Sequence, residues 1–365
     1  MMNKKKITWI TADYFIDVDF LLVPYLREYY DIDWYVLIGK GSRVQIPCDI
    51  DVKYMKCKFG YRNPLSIIEM YLHIYKLHLT KSDLIYSDVV GNLHYHKILL
   101  KLAGETPIIH AAHNVIAYDV WPQRLINCVD YIFSHHNYFQ LFSKFTAKYF
   151  EAKFPQKSMF YCPMTLKGYG NMTTSNYDID RNKVNLLFFG NIIANKRLDL
   201  LIETIKSLPK DILGKIHLTI AGDDKGQAGY YKQLIGDNKN ITTYFKRIPD
   251  EEVAELFTKH DFLMLPYEDV AQSGPHMVAY YYNLPVIASD IDGFTERIVD
   301  GENGFIFKKN DLESFRQVIV RAVSMSKDEY TQMKNNLYTY AQANFGLEAV
   351  SIRYIDYFNN IMDKR

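Results

Sequence analysis

Short apolar runs alternate with helical patterns along nearly the whole chain. In the first half ITWITA (7–12), WYVLIG (34–39), LIYS (84–87), PIIHAAH (107–113) and YIFSHH (131–136) read as strands, rich in β-branched and aromatic residues. Between them VDFLLVPYLREYY and LHYHKILLKLAG carry apolar residues at helical spacing. The second half repeats the theme with VNLLFFG (184–190), KIHLTIAG (215–222), ITTYFKR (241–247), DFLMLPY (261–267) and LPVIASD (284–290). Strands this continuously apolar, separated by helices, predict parallel sheets covered on both faces. The fold class is α/β.

One stretch breaks the rhythm. LKGYGNMTTSNYDIDRNK (166–183) is rich in Gly, Ser, Thr, Asn and Asp, the composition of an interdomain linker. It divides the chain into a domain over 1–165 and a second over 184–346, each with a Rossmann-like, doubly wound pattern. The last part is helical, DEYTQMKNNLYTYAQANF followed by LEAVSIRYIDYFNNIM. Two such domains are expected to hold a ligand in a cleft where the strand C-termini face each other.

At 365 residues the chain is long enough for both domains, and 48% apolar with 23% charged residues is an ordinary globular balance. A net charge of +1 offers no argument for nucleic acid. The cysteines (Cys48, Cys57, Cys128, Cys162) form no C-x-x-C pair and fit reduced thiols of a cytoplasmic protein. MMNKKKITWITADYF has too brief an apolar run for a signal peptide, and no stretch reaches the ~18–20 apolar residues of a membrane span. Two segments are basic and aromatic: 53–81, with six Lys/Arg against one Glu, and 143–157, with four Lys against one Glu. Such segments either dock on an anionic membrane surface or cover a core with a solvated face.

Candidate chemistry gathers in the second half. Ser273-Gly274 follows the strand DFLMLPY and opens a short helix. Its backbone amides and the positive end of the helix dipole suit an anion, and glycine lets a phosphate approach the backbone; Ser-Gly is also an ordinary helix cap. FFGNIIANKRLDLLIETI (188–205) puts Gly190 at a strand end and Lys196 at a helix start. IAGDD closes the next strand at Gly222. PVIASDIDGFTERIVDGENGF then carries a strand, a Gly turn and Glu296 near a helix start.

In this order, the segments over ~184–310 resemble the donor-binding domain of GT-B glycosyltransferases, above all the retaining family 4 (glycosyl transferases group 1). Gly190, Lys196, Ala221-Gly222, the run Pro285 to Ser289, Gly293 and Glu296 match the family signature. Over the N-terminal half the resemblance is mainly topological. There are departures: Asn191 stands at the family's Arg position, Arg197 follows the Lys where Gly is usual, and Met164-Thr165 replaces a His-Gly. The two glutamates of Glu-x7-Glu fall by position on Val270 and Val278. Gln272-Ser273-Gly274 looks like the variant that carries Gln-Ser-Gly at the first acidic motif. Glu268, Asp269 and Glu296 are the candidates to replace the ribose-binding carboxylate, and Glu296 equally suits a helix cap.

The resemblance implies transfer of a sugar from a nucleotide diphosphate sugar to an acceptor hydroxyl, with retention. Lys196 and the Ser273/Gly274 amides would stabilise the charge growing on the diphosphate, with Arg197 a substitute for the missing Arg. His113, in HAAHNV (110–115), resembles the family's acceptor-side histidine; a hydrogen-bonded structural His is the plain alternative. Asp13 and Asp17, in ADYFID (12–17), either contact an acceptor or begin the next helix. The Asp-x-Asp runs of the chain are not read as a metal site, so neither a metal nor another cofactor is expected. By analogy with the family, the acceptor is a glycan or lipid-linked oligosaccharide of bacterial cell-surface synthesis at the inner-membrane surface. The helical tail over 347–365 is expected to return to the first domain. Two other functions fit the pattern less well. A non-catalytic subunit that binds nucleotide sugar or assists a partner enzyme would account for the absent glutamates, but not for the retained Lys196. A GT-B epimerase needs a set of acidic and His residues that is not seen.

Overall fold

The computed structural model describes residues 4–42, 46, 48–59, 63–113, 115, 122–270 and 272–364. Arg62 of the first basic segment, Asn114 of the His113 loop and Ala271 before the Gln-Ser-Gly run lie outside the described residues. The chain forms two compact units, Met1–Thr165 with Leu347–Arg365, and Leu166–Gly346.

The first unit opens with β1 (Lys6–Ala12), α1 (Ile16–Leu26), β2 (Asp31–Ile38) and β3 (Lys53–Lys56). It continues through α2 (Pro64–Tyr75), β4 (Leu84–Asp88), α3 (Leu93–Ala103) and β5 (Ile108–Ala112). Then come α4 (Gln123–His135), β6 (Tyr138–Leu141), α5 (Lys144–Lys153) and β7 (Ser158–Tyr161). The second unit begins with β8 (Val184–Phe189), α6 (Leu198–Ser207), α7 (Lys210–Leu213), β9 (Ile216–Ala221) and α8 (Ala228–Ile235). β10 (Ile241–Tyr244), α9 (Asp250–Lys259), β11 (Phe262–Leu265), α10 (Gly274–Tyr281) and β12 (Val286–Ser289) follow. α11 (Asp292–Thr295), β13 (Gly304–Phe307), α12 (Leu312–Val323) and α13 (Lys327–Phe345) complete it, and α14 (Leu347–Met362) belongs to the first unit.

Among the described residues both sheets are parallel throughout. The first has the order β3-β2-β1-β4-β5-β6-β7 and the second β10-β9-β8-β11-β12-β13. In each, the direction of winding reverses between two central strands, β1 and β4 in the first, β8 and β11 in the second. The crevice outside the C-terminal ends of such a strand pair is where doubly wound sheets bind ligands.

Alternation along the buried strands decides which helices cover which face. Trp9, Tyr86, Ile109 and Ala111 point to α1 and α14, meeting Leu22, Val23, Leu26, Val350, Tyr354 and Phe358. Ile10, Leu37, Ile85 and Ile108 point the other way, to Met70 and Ile74 of α2 and Leu99 of α3. Trp9 stacks on Tyr86 with centroids 3.8 Å apart, and Tyr354 of α14 donates to the Gln140 side-chain oxygen at 2.8 Å.

One expectation fails locally. The run 131–136 is the end of α4, and the strand lies just beyond it at Tyr138–Leu141. Cys128, Val129, Ile132 and Phe133 are buried at helical spacing, so one stripe of a helix faces the core where a strand was read. Segment 166–183 contains no helix or strand, and from Thr174 onward it is bound to its own unit. Thr174 Oγ1 and the amides of Asn176 and Tyr177 donate to the buried Glu255 carboxylate of α9 at 3.1, 2.8 and 3.0 Å. Burial pulls that carboxyl upward, but Lys259 and these donors together hold it below its ordinary value.

Candidate active site

In the second unit the ends of β8 and β9 lie backbone against backbone. The Gly190 amide donates to the Ala221 carbonyl at 3.0 Å, and a Cβ built on Gly222 would stand 1.9 Å from the Gly190 carbonyl oxygen. Gly190 has φ +103°, a conformation open to glycine and strained for other residues. The chain then crosses to a 3₁₀ turn, Ala194–Lys196, that delivers Lys196 back over the strand ends.

Lys196 is half-buried there. Its Nζ lies 5.2 Å from the centroid of the Tyr267 ring, and a Cβ on Gly190 would approach it to 3.1 Å. Burial alone pushes its pKa down to about 8, with no carboxylate of the described residues offsetting it. A buried ammonium held only by a ring face favours an anion that restores its charge balance.

The third wall is α10. Ser273 caps it, the hydroxyl accepting the His276 amide at 3.4 Å, and the ring of Pro275 lies 3.6 Å from where a Gly190 Cβ would stand. Pro275 has no N–H and His276 spends its own on the cap. The amides of Ser273 and Gly274 are therefore the donors that this helix start offers a ligand. A Cβ on Gly274 would meet nothing within 4 Å. Beneath, His276 is fully buried against Tyr280 and Phe294 with both ring nitrogens unpartnered; burial and the nearby Arg297 hold it neutral.

Gly190, Lys196, Gly222, Ser273 and Gly274 thus converge at the switch point. Asn191 is exposed next to Gly190, and half-buried Gln272 precedes the cap. Arg197 is engaged elsewhere: its guanidinium bonds Asp199 at 3.1–3.2 Å and Asn310, and Asn310 in turn donates to Glu268 at 3.2 Å. The Arg197 backbone itself is left-handed, at φ +48°. Glu296 ends α11 and does not start a helix; its carboxylate pairs with Arg297 at 2.9 Å. Val278, on α10, is buried apolar core.

The first unit builds its own constellation at the ends of β1, β4, β5 and β6. His113 lies flat between Phe15 and Phe142, with ring centroids 3.7 and 4.5 Å away and planes within 11° and 17°. Its Nε2 donates to the Asp88 carboxylate at 2.8 Å, which sets the tautomer at that nitrogen. Asp88, Phe15 and Phe142 escaped the sequence reading, although an Asp closing the apolar strand LIYSD was a usable signal. Asp13 accepts the Gly39 amide at 3.3 Å and so ties the β1 loop to β2, while Asp17 sits exposed in the first turn of α1.

Comparison with known proteins meets this geometry from outside. Residues 174–341 match the family model described as Glycosyl transferases group 1. An uncharacterised glycosyltransferase of Methanocaldococcus jannaschii is 28% identical over 145 residues, 39% of this chain and 37% of that protein. The alignment thus spans little more than a third of that relative's length. A glycosyltransferase from Rickettsia africae superposes with a TM-score of 0.79 at 14% identity, covering 100% of both chains. Anabaena HepE, solved with UDP and glucose, gives 0.74 at 15% identity over 98% of this chain and 100% of its own. WaaG, a glycosyltransferase involved in lipopolysaccharide biosynthesis, gives 0.66 at 14% over 97% and 99%.

The fold is that of the GT-B glycosyltransferases. At such identities the likeness speaks for architecture, whereas the family match covers the unit that holds Lys196 and the α10 cap.

Proposed function

We propose that this chain is a glycosyltransferase that moves a sugar from a nucleoside diphosphate sugar to an acceptor hydroxyl. The observation that carries the reading is the half-buried Lys196 ammonium, without a carboxylate partner among the described residues, beside glycine backbone and the start of α10. As the glycosidic bond breaks, the departing diphosphate gains charge, and Lys196 with the amides at 273 and 274 stabilises that charge more than the ground state. His113, oriented by Asp88, serves the acceptor side. We assign the chain to the retaining family 4 on its motif order, as a variant with Val270 and Val278 at the glutamate positions.

The match to group 1 glycosyltransferases and the likeness to HepE, solved with UDP and glucose, support a nucleoside diphosphate donor. WaaG's part in lipopolysaccharide biosynthesis supports a glycan or lipid-linked oligosaccharide acceptor, met at the cytoplasmic face of a membrane. Among the described residues no helix is long and apolar enough to cross a membrane, so membrane contact in this reading is peripheral. The reading needs no metal, because Lys196 and the helix start supply the positive charge.

Val270 and Val278 favour one other reading, a subunit that binds nucleotide sugar without turning it over. Calorimetry with UDP followed by donor hydrolysis with and without glycan acceptors separates the two. Binding that Lys196→Ala abolishes, together with sugar release, establishes the transferase. Binding without release under any acceptor establishes the subunit.

A further inference from the structure

The aromatic ladder around His113 carries one ring that is open to solvent. Phe142, His113 and Phe15 stack in turn, and the Tyr14 ring meets Phe15 at 4.6 Å between centroids with planes 64° apart. Tyr14 follows β1 and is 51% exposed. An exposed side chain ordinarily hops between rotamers. Here the hydroxyl is tied twice to one residue of the loop after β4, donating to the Val90 carbonyl at 2.6 Å and accepting the Val90 amide at 3.2 Å. β1 and β4 are the neighbouring strands between which the winding of this sheet reverses. The ring is thus fixed at the switch point. With the hydroxyl engaged by the backbone, what a ligand meets is the ring. Carboxylates stand on either side of it in the chain: half-buried Asp13, which accepts the Gly39 amide, and exposed Asp17.

We propose that the Tyr14 ring is the platform for a pyranose ring of the acceptor, an inference that rests on the acceptor-side part of the functional reading above. One face of a pyranose gathers its axial hydrogens and packs on an aromatic ring, while its rim carries hydroxyls. The surroundings suit that occupant. Carboxylates such as Asp13 and Asp17 accept hydrogen bonds from hydroxyls, and Phe15 links the platform to the Asp88–His113 pair. Because the ring is already held, binding costs it no rotamer freedom. A nucleobase is the poorer occupant. The diphosphate attached to it is repelled by two carboxylates and matched by no lysine or arginine in the loop 12–17. The acceptor class that follows is a glycan that presents a pyranose ring, not a lipid hydroxyl or an open-chain polyol.

The test reads binding to the full chain by saturation-transfer NMR. The probes are the methyl glycosides of glucose, galactose and N-acetylglucosamine, with glucitol as the open-chain control. Wild type is expected to bind at least one glycoside, with saturation strongest on the C–H protons of one ring face, and not to bind glucitol. Tyr14→Phe and Tyr14→Ala both lose the bonds to Val90, so the difference between them reads the ring alone. Tyr14→Ala should raise the glycoside Kd about fivefold or more, while Tyr14→Phe stays within about threefold of wild type. Equal Kd in wild type and Tyr14→Ala overturns the proposal. So does an equal loss in Tyr14→Phe and Tyr14→Ala, or a wild type that binds no glycoside. A fall in UDP affinity in Tyr14→Ala, read by calorimetry, overturns it as well by putting the nucleotide on the ring. No turnover enters these readings. Glycoside binding without sugar transfer counts against the transferase alone, and transfer with an unchanged Kd in Tyr14→Ala counts against the platform alone.

Discussion

A Cβ on Gly222 would stand 1.9 Å from the carbonyl oxygen of Gly190. The ends of β8 and β9 therefore touch through their backbones, and Lys196 is seated over that contact. Gly222→Ala must push the two strand ends apart, at a cost of about 2 kcal/mol or more in folding free energy, and should weaken UDP binding with it. Gly274 is the contrast, because a Cβ there meets open space. Gly274→Val should melt normally and lose UDP affinity, since its branched side chain takes the volume left for phosphate. Ser273→Ala removes a cap worth about 1 kcal/mol and should be mild in binding. Calorimetry beside thermal melts of the three variants checks this; normal UDP affinity in Gly274→Val would move the phosphate elsewhere.

Lys196 makes donor binding depend on pH. Its pKa is pushed down to about 8 by burial, so the ammonium is lost as pH rises through that value. Affinity for UDP should hold below pH 8 and fall above it, toward ~tenfold per pH unit. Lys196→Arg keeps its charge across this range and should flatten the profile, while Lys196→Ala should cost roughly 2–4 kcal/mol of transition-state stabilisation. A flat wild-type profile from pH 7 to 10 would remove Lys196 from the site.

The Asp88–His113 pair tests the acceptor side. Asp88→Asn preserves an acceptor for Nε2–H but removes the carboxylate charge. We expect kcat for sugar transfer to fall roughly 10-fold or more, with UDP affinity unchanged. His113→Phe should keep the stack between Phe15 and Phe142, and so the fold, while losing transfer. Wild-type kcat in both variants would make the pair purely structural.

Three further histidines bear on acid stability. His96, His110 and His136 are buried with rings 5.0–5.6 Å apart, and no set of three metal-binding side chains is placed to hold an ion among the described residues. Burial, then the neighbouring histidines, press His96 and His110 well below the ordinary value; burial, then His135 and Lys157, bring His136 to about 4. The unfolded chain takes up these protons first, so the stabilisation is complete above pH ~6.5 and declines as pH falls toward 4. Melts from pH 7.5 to 4.5 should show the first unit losing stability below 6.5, by up to about 1.4 kcal/mol per pH unit for each histidine. His96→Leu should reduce that slope, and an unchanged slope would acquit the cluster.

Much of this was legible in the sequence because its cause is local. Strand VNLLFFG and the helix start at Ser273-Gly274 are written in consecutive residues, through apolar runs and a capping hydroxyl. Gly190 and Gly222 are legible for the same reason, each standing directly after a strand. Where local cues balanced, the reading failed, as at 131–136, whose apolar residues suit a strand as well as the last turn of α4.

What only the tertiary structure decided is which partner each polar side chain takes. Arg197, the substitute for the missing family Arg, gives its guanidinium to Asp199 and Asn310. The carboxylate of Glu296, a ribose candidate by sequence, pairs with the guanidinium of Arg297. Asp88 became a site residue because two neighbouring parallel strands, β4 and β5, end beside each other and bring it to His113. A side chain's chemistry is fixed by its type, but its role depends on which charges and rings share its space after burial. That selection is made by packing, in which neighbours such as Asp199 and distant residues such as Asn310 and Asp88 take part together.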